Sequence, residues 1–178
     1  MPATAAPTTI TIRRLMAPSP ADLAGLADVL VDCVEGGASV SFMLPLSRER
    51  ALAFWQRVAD GVARDERALL VAEDEAGIVG TVQLVFDLPE NQPHRADLAK
   101  MLVHRRGRRR GLGEALMRAA EQLGRDSGKS LLVLDTVTGG DAERLYARLG
   151  WQKSGVIPNY ALWPQGGFCD TTYFYKAL

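Results

Sequence analysis

Eleven consecutive residues hold the clearest chemistry in this chain: Val103-His104-Arg105-Arg106-Gly107-Arg108-Arg109-Arg110-Gly111-Leu112-Gly113, a glycine-punctuated arginine loop that opens into an amphipathic stretch. N–H groups in the first turn of a helix have no intrahelical acceptor, and the positive end of the helix dipole lies with them. A loop feeding such a turn is therefore suited to phosphate. Glycine allows the backbone to approach the ligand closely, and arginine supplies forked, permanently charged donors.

Several arrangements use that physics, and spacing separates them. Gly111-Leu112-Gly113-Glu114-Ala115-Leu116 partly fits the dinucleotide pattern GxGxxG, with Asp135 closing a strand about twenty residues later. In that pattern the first glycine follows its strand almost at once. Here seven residues separate Val103 from Gly111, and Leu116 stands where the third glycine belongs. Gly124-Arg125-Asp126-Ser127-Gly128-Lys129-Ser130 is one residue short of a P-loop and precedes a strand instead of following one, so it reads as a helix end and a turn.

The elements that must position the loop follow from periodicity. Ile10 to Leu15 alternates as a half-buried strand. Ser19, Pro20 and Asp22 form a helix start, and Leu23, Leu26, Ala27, Leu30, Val31 and Val34 continue it to about Glu35, where Gly36-Gly37 ends it. Ser47 caps a second helix with Ala51, Phe54, Trp55, Val58 and Val62 on its apolar face. Residues 68–72 and 78–86 flank Asp74-Glu75-Ala76-Gly77 as a hairpin. A strand from Arg95 to Val103 leads into the arginine loop, and Leu112, Leu116, Ala119, Ala120 and Leu123 mark the helix after it. Ser130 to Asp135 reads as a short buried strand, Asp141 to Leu149 as another helix, and Trp151 to Ala177 as two strands around a Pro/Gly-rich loop, Pro158 to Gly167. The order describes one mixed α/β domain over residues 10–178.

Composition narrows the partners. The chain has 178 residues, 47% of them apolar, which is enough for a core of its own. Lys+Arg and Asp+Glu balance at 21 each, so the arginine loop is a local concentration of charge and nucleic acid is not the expected partner. Cys33, Cys169, His94 and His104 fit neither a disulfide framework nor a metal-binding spacing. Residues 1–9 read as a disordered tail without the pattern of a secretory signal. No apolar run approaches the roughly 20 residues that span a bilayer, so no membrane partner is expected and the expected location is the cytoplasm.

Arg108-Arg109-Arg110-Gly111-Leu112-Gly113 matches the [Gln/Arg]-x-x-Gly-x-[Gly/Ala] signature of the GNAT superfamily of N-acetyltransferases, between a strand and a helix as that family has it. Ala142-Glu143-Arg144-Leu145-Tyr146-Ala147-Arg148-Leu149-Gly150-Trp151 resembles its second signature, Ala-x-x-Leu-Tyr-x-x-x-Gly-Phe. With the element order, the resemblance covers about Ile10 to Ala177. Within the superfamily the chain is similar to the tabtoxin-resistance type, through His94-Arg95-Ala96-Asp97, Leu134-Asp135-Thr136, the Asp135 to Tyr146 spacing and Pro158-Asn159-Tyr160. The family often has Pro at position 105, Gly at 109 and Asn at 139, where this chain has Arg105, Arg109 and Gly139. The resemblance implies a mostly antiparallel sheet of about six to seven strands, splayed at the middle and flanked by about four helices.

It also implies acetyl-CoA as cofactor. The pyrophosphate would sit on the N–H groups of Arg108, Arg109, Arg110, Gly111, Leu112 and Gly113, with arginine side chains free to reach the remaining phosphate charge. The pantetheine arm would add to the splayed edge at Met101, Leu102 and Val103, and the Leu102 N–H would polarise the thioester oxygen. Tyr146 resembles the tyrosine that protonates the departing thiolate. An attacking amine must be neutral, and for an alkylamine at pH 7 deprotonation costs about 4.6 kcal/mol. Asp135 is the leading base, acting directly or through a water, with Asp87, Glu90, His94 and Asp97 in reserve. Met43, Phe86, Tyr160 and Asp170 are candidate substrate contacts, within walls formed by Ser39 to Leu44 and by the late loop with Asn159 and Trp163. The expected acceptor is a primary amine of a small molecule, amino-acid-like, toxin or antibiotic, attacking directly in a ternary complex. A protein N-terminal or lysine acetyltransferase and a non-catalytic CoA-binding module are the alternatives, and a homodimer is a candidate assembly.

Overall fold

The computed structural model describes residues 9–178, so the expected tail falls outside them save for Thr9. The order is β1 (Thr11–Leu15), α1 (Pro20–Glu35), α2 (Arg48–Ala63), β2 (Arg67–Asp74), β3 (Gly77–Val85), β4 (Arg95–Val103), α3 (Leu112–Asp126), β5 (Leu131–Val137), α4 (Asp141–Arg148), β6 (Gln152–Leu162) and β7 (Phe168–Ala177). All seven strands join one sheet in the order β1-β2-β3-β4-β5-β7-β6. Every pairing is antiparallel except β4 with β5.

Local sequence explains the helix starts. Ser19 accepts from the Asp22 N–H while the Asp22 carboxylate accepts from the Ser19 N–H, a reciprocal cap with Pro20 as the first helical residue. Ser47 caps α2 by accepting from the Arg50 N–H. The apolar stripes then separate onto the two faces of the sheet. Leu26, Leu30, Trp55 and Val58 of α1 and α2 pack on Leu69, Val71 and Leu102; Leu112, Leu116 and Met117 of α3, with Tyr146 and Leu149, pack on Leu70, Val82, Leu98, Leu132, Leu134 and Phe174.

One irregularity sets up the site. In β4, Thr81 faces Leu102 and Gln83 faces Ala99, so Lys100 and Met101 together oppose Val82. Lys100 adopts φ +51°. Such a bulge bends its strand and increases its twist. β4 and β5 accordingly pair only at Arg95 to Asp97 with Leu131 to Val133, and beyond that point they part. The splay expected at the middle of the sheet lies here.

Two boundaries differ from expectation. β5 runs two residues past Asp135, because Thr136 and Val137 still pair with Thr172 and Thr171 of β7. Pro158 and Asn159 lie within β6 and not in a loop, so the turn is only Trp163 to Gly167. The proline is tolerated because β6 is the edge of the sheet and its register jumps between Ile157 and Ala161, with Asn159 at φ +52°.

Candidate active site

Between β4 and α3 the chain makes a single 3-10 turn, Arg105–Gly107, and enters the helix through Gly111 at φ +75°. Ala115 donates to the Gly111 carbonyl, but among the described residues the N–H groups of Arg109, Arg110, Gly111, Leu112, Gly113 and Glu114 have no acceptor. Six free donors around one helix start fit an anion such as a pyrophosphate. Gly107 is fixed by packing: a Cβ there would strike Val79 and come within 2.8 Å of Leu112 Cδ1. Gly113 allows a close approach to Leu145 of α4, whose Cδ2 would lie 3.0 Å from an added Cβ.

The loop arginines are less free than the sequence suggested. Asp74, at the β2–β3 turn with a side chain only 5% exposed, accepts from Arg106 Nη1 at 2.6 and 2.7 Å and from Arg110 Nη1 at 3.2 Å. Asp32 of α1 holds the Arg105 N–H at 2.8 Å and also pairs with its side chain. Arg108 Nε reaches back to the Val103 carbonyl. These contacts brace the loop against the body of the protein. Among the described residues Arg109 alone of the five makes no side-chain hydrogen bond, which leaves it free for a phosphate.

Beyond the bulge, the β4 edge toward β5 is open. His104 donates to the Val79 carbonyl across the β3 side. Paired groups alternate along an antiparallel strand, so Leu102, two residues earlier and opposite Thr81, also turns its backbone toward β3. Its carbonyl lies against Gly80, within 3.2 Å of where a Cβ would stand, and its side chain is buried under α1. This corrects the expectation for Leu102: the N–H groups on the open side belong to Met101 and Val103.

Tyr146 lies on the α3/α4 face with its ring against Trp151 and Phe174, 4% exposed. Its hydroxyl makes no hydrogen bond among the described residues, yet it is not a sealed polar atom, so it borders accessible space. Burial, reinforced by the charge of Asp135, pushes its pKa above the ordinary phenol value. The phenol therefore keeps its proton at neutral pH.

Asp135 stands on the other face. In parallel register Val133 lies beside Asp97, whose β3 partner Val85 shares the α1/α2 face with Gln83 and Thr81, and Asp135 follows Val133 at strand period. Asp135 is exposed and accepts from Thr171 Oγ1 at 3.0 Å. Its charge reaches Tyr146 from the opposite face, where the strands have parted. Opposite Asp135 on β7 is Tyr173, whose hydroxyl lies 2.8 Å from that of Tyr160, and this contact chiefly raises the Tyr173 pKa. On the same face Lys100 donates to Ser41 Oγ at 3.0 Å and lies over the Phe54 ring. The walls meet: Ser39 Oγ donates to the Leu162 carbonyl at 2.8 Å, and the Leu44 N–H to the Pro164 carbonyl at 2.8 Å.

Of the sequence candidates, Tyr160 is therefore joined to the Asp135 neighbourhood through Tyr173. Met43 is exposed in the wall beside Leu44, and Asp170 accepts from the Asn159 N–H at 2.9 Å, bracing the β6 bulge. Phe86 belongs elsewhere. It packs on the α3 face beneath Lys129, at the end of α3 remote from the arginine loop. Its place after β3, where Phe86 N–H bonds the Glu66 carbonyl, carries it off the face that holds Asp135 and Lys100. Asp87, Glu90 and His94 occupy the β3–β4 connection at that same remote end. Lys100 and Tyr173 were missed, although Lys100 is the one charged residue in the otherwise apolar run Leu98 to Val103.

A family model described as "Acetyltransferase (GNAT) family" matches residues 38–151. Human N-acetyltransferase 8 is 39% identical over 87 residues, 48% of this chain and 38% of that protein. The matched stretch thus spans well under half the length of that curated relative. Among solved structures, an N-acetyltransferase from Staphylococcus aureus Mu50 superposes with TM-score 0.78 at 14% identity, covering 96% of this chain and 99% of the other. The protein yncA of Salmonella typhimurium, solved with its cofactor acetyl-CoA, gives TM-score 0.75 at 21% identity over 95% and 94% of the two chains.

Proposed function

The chain belongs to the GNAT family of acetyltransferases, and from that premise we propose that it moves an acetyl group from acetyl-CoA to a primary amine of a small molecule, amino-acid-like, toxin or antibiotic, in a ternary complex over residues 10–178. One observation carries the reading: six unpaired N–H groups at the start of α3 adjoin an open β4 edge, with a protonated phenol on one face of the gap and, on the other, a carboxylate held only by the Thr171 hydroxyl among the described residues.

Acetyl-CoA would supply the activated acyl group as a thioester. The N–H groups of Arg109 to Glu114 would hold its pyrophosphate, and Met101 and Val103 would pair with its amide-bearing arm along the open edge. The Met101 N–H, beside the bulge, takes over from Leu102 the polarisation of the thioester oxygen. Transfer forms a C–N bond and breaks a C–S bond. The amine's proton passes to Asp135, directly or through a water, and Tyr146 gives its proton to the departing sulfur. Donor and acceptor thus approach from opposite faces and meet where the strands part.

The resemblance to the tabtoxin-resistance type through Pro158-Asn159-Tyr160, with the Tyr160 hydroxyl against that of Tyr173, favours a small acceptor. So does the pair of hydrogen bonds that closes the late loop on the α1–α2 loop, where a protein substrate would need an open groove. Self-association through β6 is proposed with it: this edge strand exposes Val156, Ile157, Tyr160 and Leu162, each more than 40%. A thiol-release assay with acetyl-CoA across amines, amino acids, aminoglycosides and peptides tests the activity. Turnover confined to peptides would favour a protein acceptor, and CoA binding without transfer to any member would leave a binding module.

A further inference from the structure

The face that carries Asp135 holds two cations with no carboxylate in ion-pair contact among the described residues. Lys100 and Arg67 form no ion pair among the described residues, whereas Arg105, Arg106 and Arg110 of the phosphate loop each do. Lys100 is half-buried, bonded only to the Ser41 hydroxyl and set against the Phe54 ring. Arg67 reaches Gln83 Oε1 at 2.9 Å, and Gln83 is 1% exposed. The Gln83 Nε2 makes no hydrogen bond among the described residues, yet it is not a sealed orphan. Gln83 thus holds the Arg67 guanidinium from a buried position on the α1/α2 face.

Burial lowers the Lys100 pKa, as does the charge of Arg67, while Asp135 opposes both. Asp135 is near enough to be felt but not near enough to form an ion pair. An uncompensated, desolvated ammonium is costly, and a bound anion would remove that cost. Asp135 and the Lys100–Arg67 pair, near enough to feel one another's charge, thus complement a molecule with an ammonium at one end and an anion at the other.

Resting on the acetyltransferase reading above, we propose that the acceptor bears a carboxylate close to its amine, held by Lys100 with Arg67 and the Gln83 amide behind it, while the amine faces Asp135. The acceptors are then zwitterions of the amino-acid type, and aminoglycosides or simple polyamines are poor substrates. Lys100 and Met101 share the bulge opposite Val82, so one irregularity of β4 both opens the acyl site and sets the receptor that orients the acceptor toward it.

The test compares matched acceptors: L-amino acids, their primary amides and the corresponding amines without the carboxyl group. Thiol release from acetyl-CoA is followed with the full chain, and rates are expressed per neutral amine because the three classes ionise differently. We expect kcat/KM for the best amino acid to exceed that of its amide at least tenfold. In Lys100→Gln the ratio falls toward one, Lys100→Arg retains part of it, and Arg67→Gln lowers it through KM. Thermal melting confirms that each variant is folded, and Arg67→Gln carries the test if Lys100→Gln is not. Amides or descarboxy amines accepted as well as amino acids, or a preference that survives both glutamine variants, overturn the carboxylate receptor and leave the acetyltransferase reading intact. Failure of every acceptor in the panel overturns that reading, and the receptor with it.

Discussion

Asp74 takes no part in the proposed chemistry, yet it braces the loop proposed to hold acetyl-CoA. Its carboxylate, 5% exposed, takes two hydrogen bonds from Arg106 at 2.6 and 2.7 Å, one from Arg110 at 3.2 Å and one from the Ala76 N–H at 3.0 Å. Losing one partner of a buried ion pair costs about 3–5 kcal/mol, and a surface pair contributes about 0–1 kcal/mol. Here the acid is buried while the two guanidiniums are 33% and 31% exposed, so the value falls between these limits. For Asp74→Ala we expect about 2 kcal/mol, or a fall in Tm of about 4–8 °C. Released from its brace, the loop must be ordered when ligand binds, which should weaken acetyl-CoA binding about tenfold, or about 1.4 kcal/mol. Calorimetric titration and thermal melting measure the two effects separately. Arg106 holds the Asp74 carboxyl below the ordinary carboxylate value, so its stabilisation is complete above that value and is lost as pH falls through the lower, folded-state pKa. The Tm gap between wild type and variant should therefore close below about pH 4. An unchanged Tm, or tighter cofactor binding, would refute the reasoning, since the freed arginines would then be phosphate ligands that Asp74 had kept in check.

Tyr146→Phe should lower kcat about 100-fold or more while leaving acetyl-CoA affinity nearly unchanged, and undiminished turnover removes Tyr146 from the acid role. Because the phenol's pKa is raised, wild-type activity should show no loss from Tyr146 ionisation between pH 8 and about 10; a fall in that window that Tyr146→Phe abolishes would contradict it. Asp135→Asn should cost about 100-fold or more in kcat/KM at pH 7 for an alkylamine, with the deficit shrinking above about pH 10 as solvent supplies the neutral amine. A deficit independent of pH would count against a base. Gly107→Ala should destabilise by about 1–3 kcal/mol, read as a lower Tm, because its Cβ would meet Val79 and Leu112; a Tm equal to wild type would show that the turn yields easily.

The arginine loop, the helix it opens and α4, which form the proposed donor half, were legible in the sequence because their determinants are local. Caps such as Ser19 and Ser47, the glycines around the arginine run and the Leu145-Tyr146 face of α4 each act within a few residues. The acceptor half was not, because it depends on register and bulges. A single extra residue at Lys100–Met101 decides which N–H groups face the gap, and alternation read from the sequence alone assigns that role to Leu102. Phe86 looked like a pocket aromatic by type, but its position just past β3 carries it to the wrong end of the sheet. Which loop arginines are free depended on Asp32 and Asp74, which lie 73 and 32 positions from their partners Arg105 and Arg106.

The hydrogen bond from Ser39 to Leu162 joins residues 123 positions apart. Closing so long a loop is slow relative to bracing the arginine loop, whose side-chain contacts to Asp74 and Asp32 span 32 and 73 positions. The acceptor wall should therefore be the last part of the molecule to assemble and the first to open. In a refolding experiment, CoA recovery should precede acceptor recovery. The same division lets the late loop be exchanged for another with little disturbance to the cofactor cradle, so changes of acceptor during divergence need not be changes of donor.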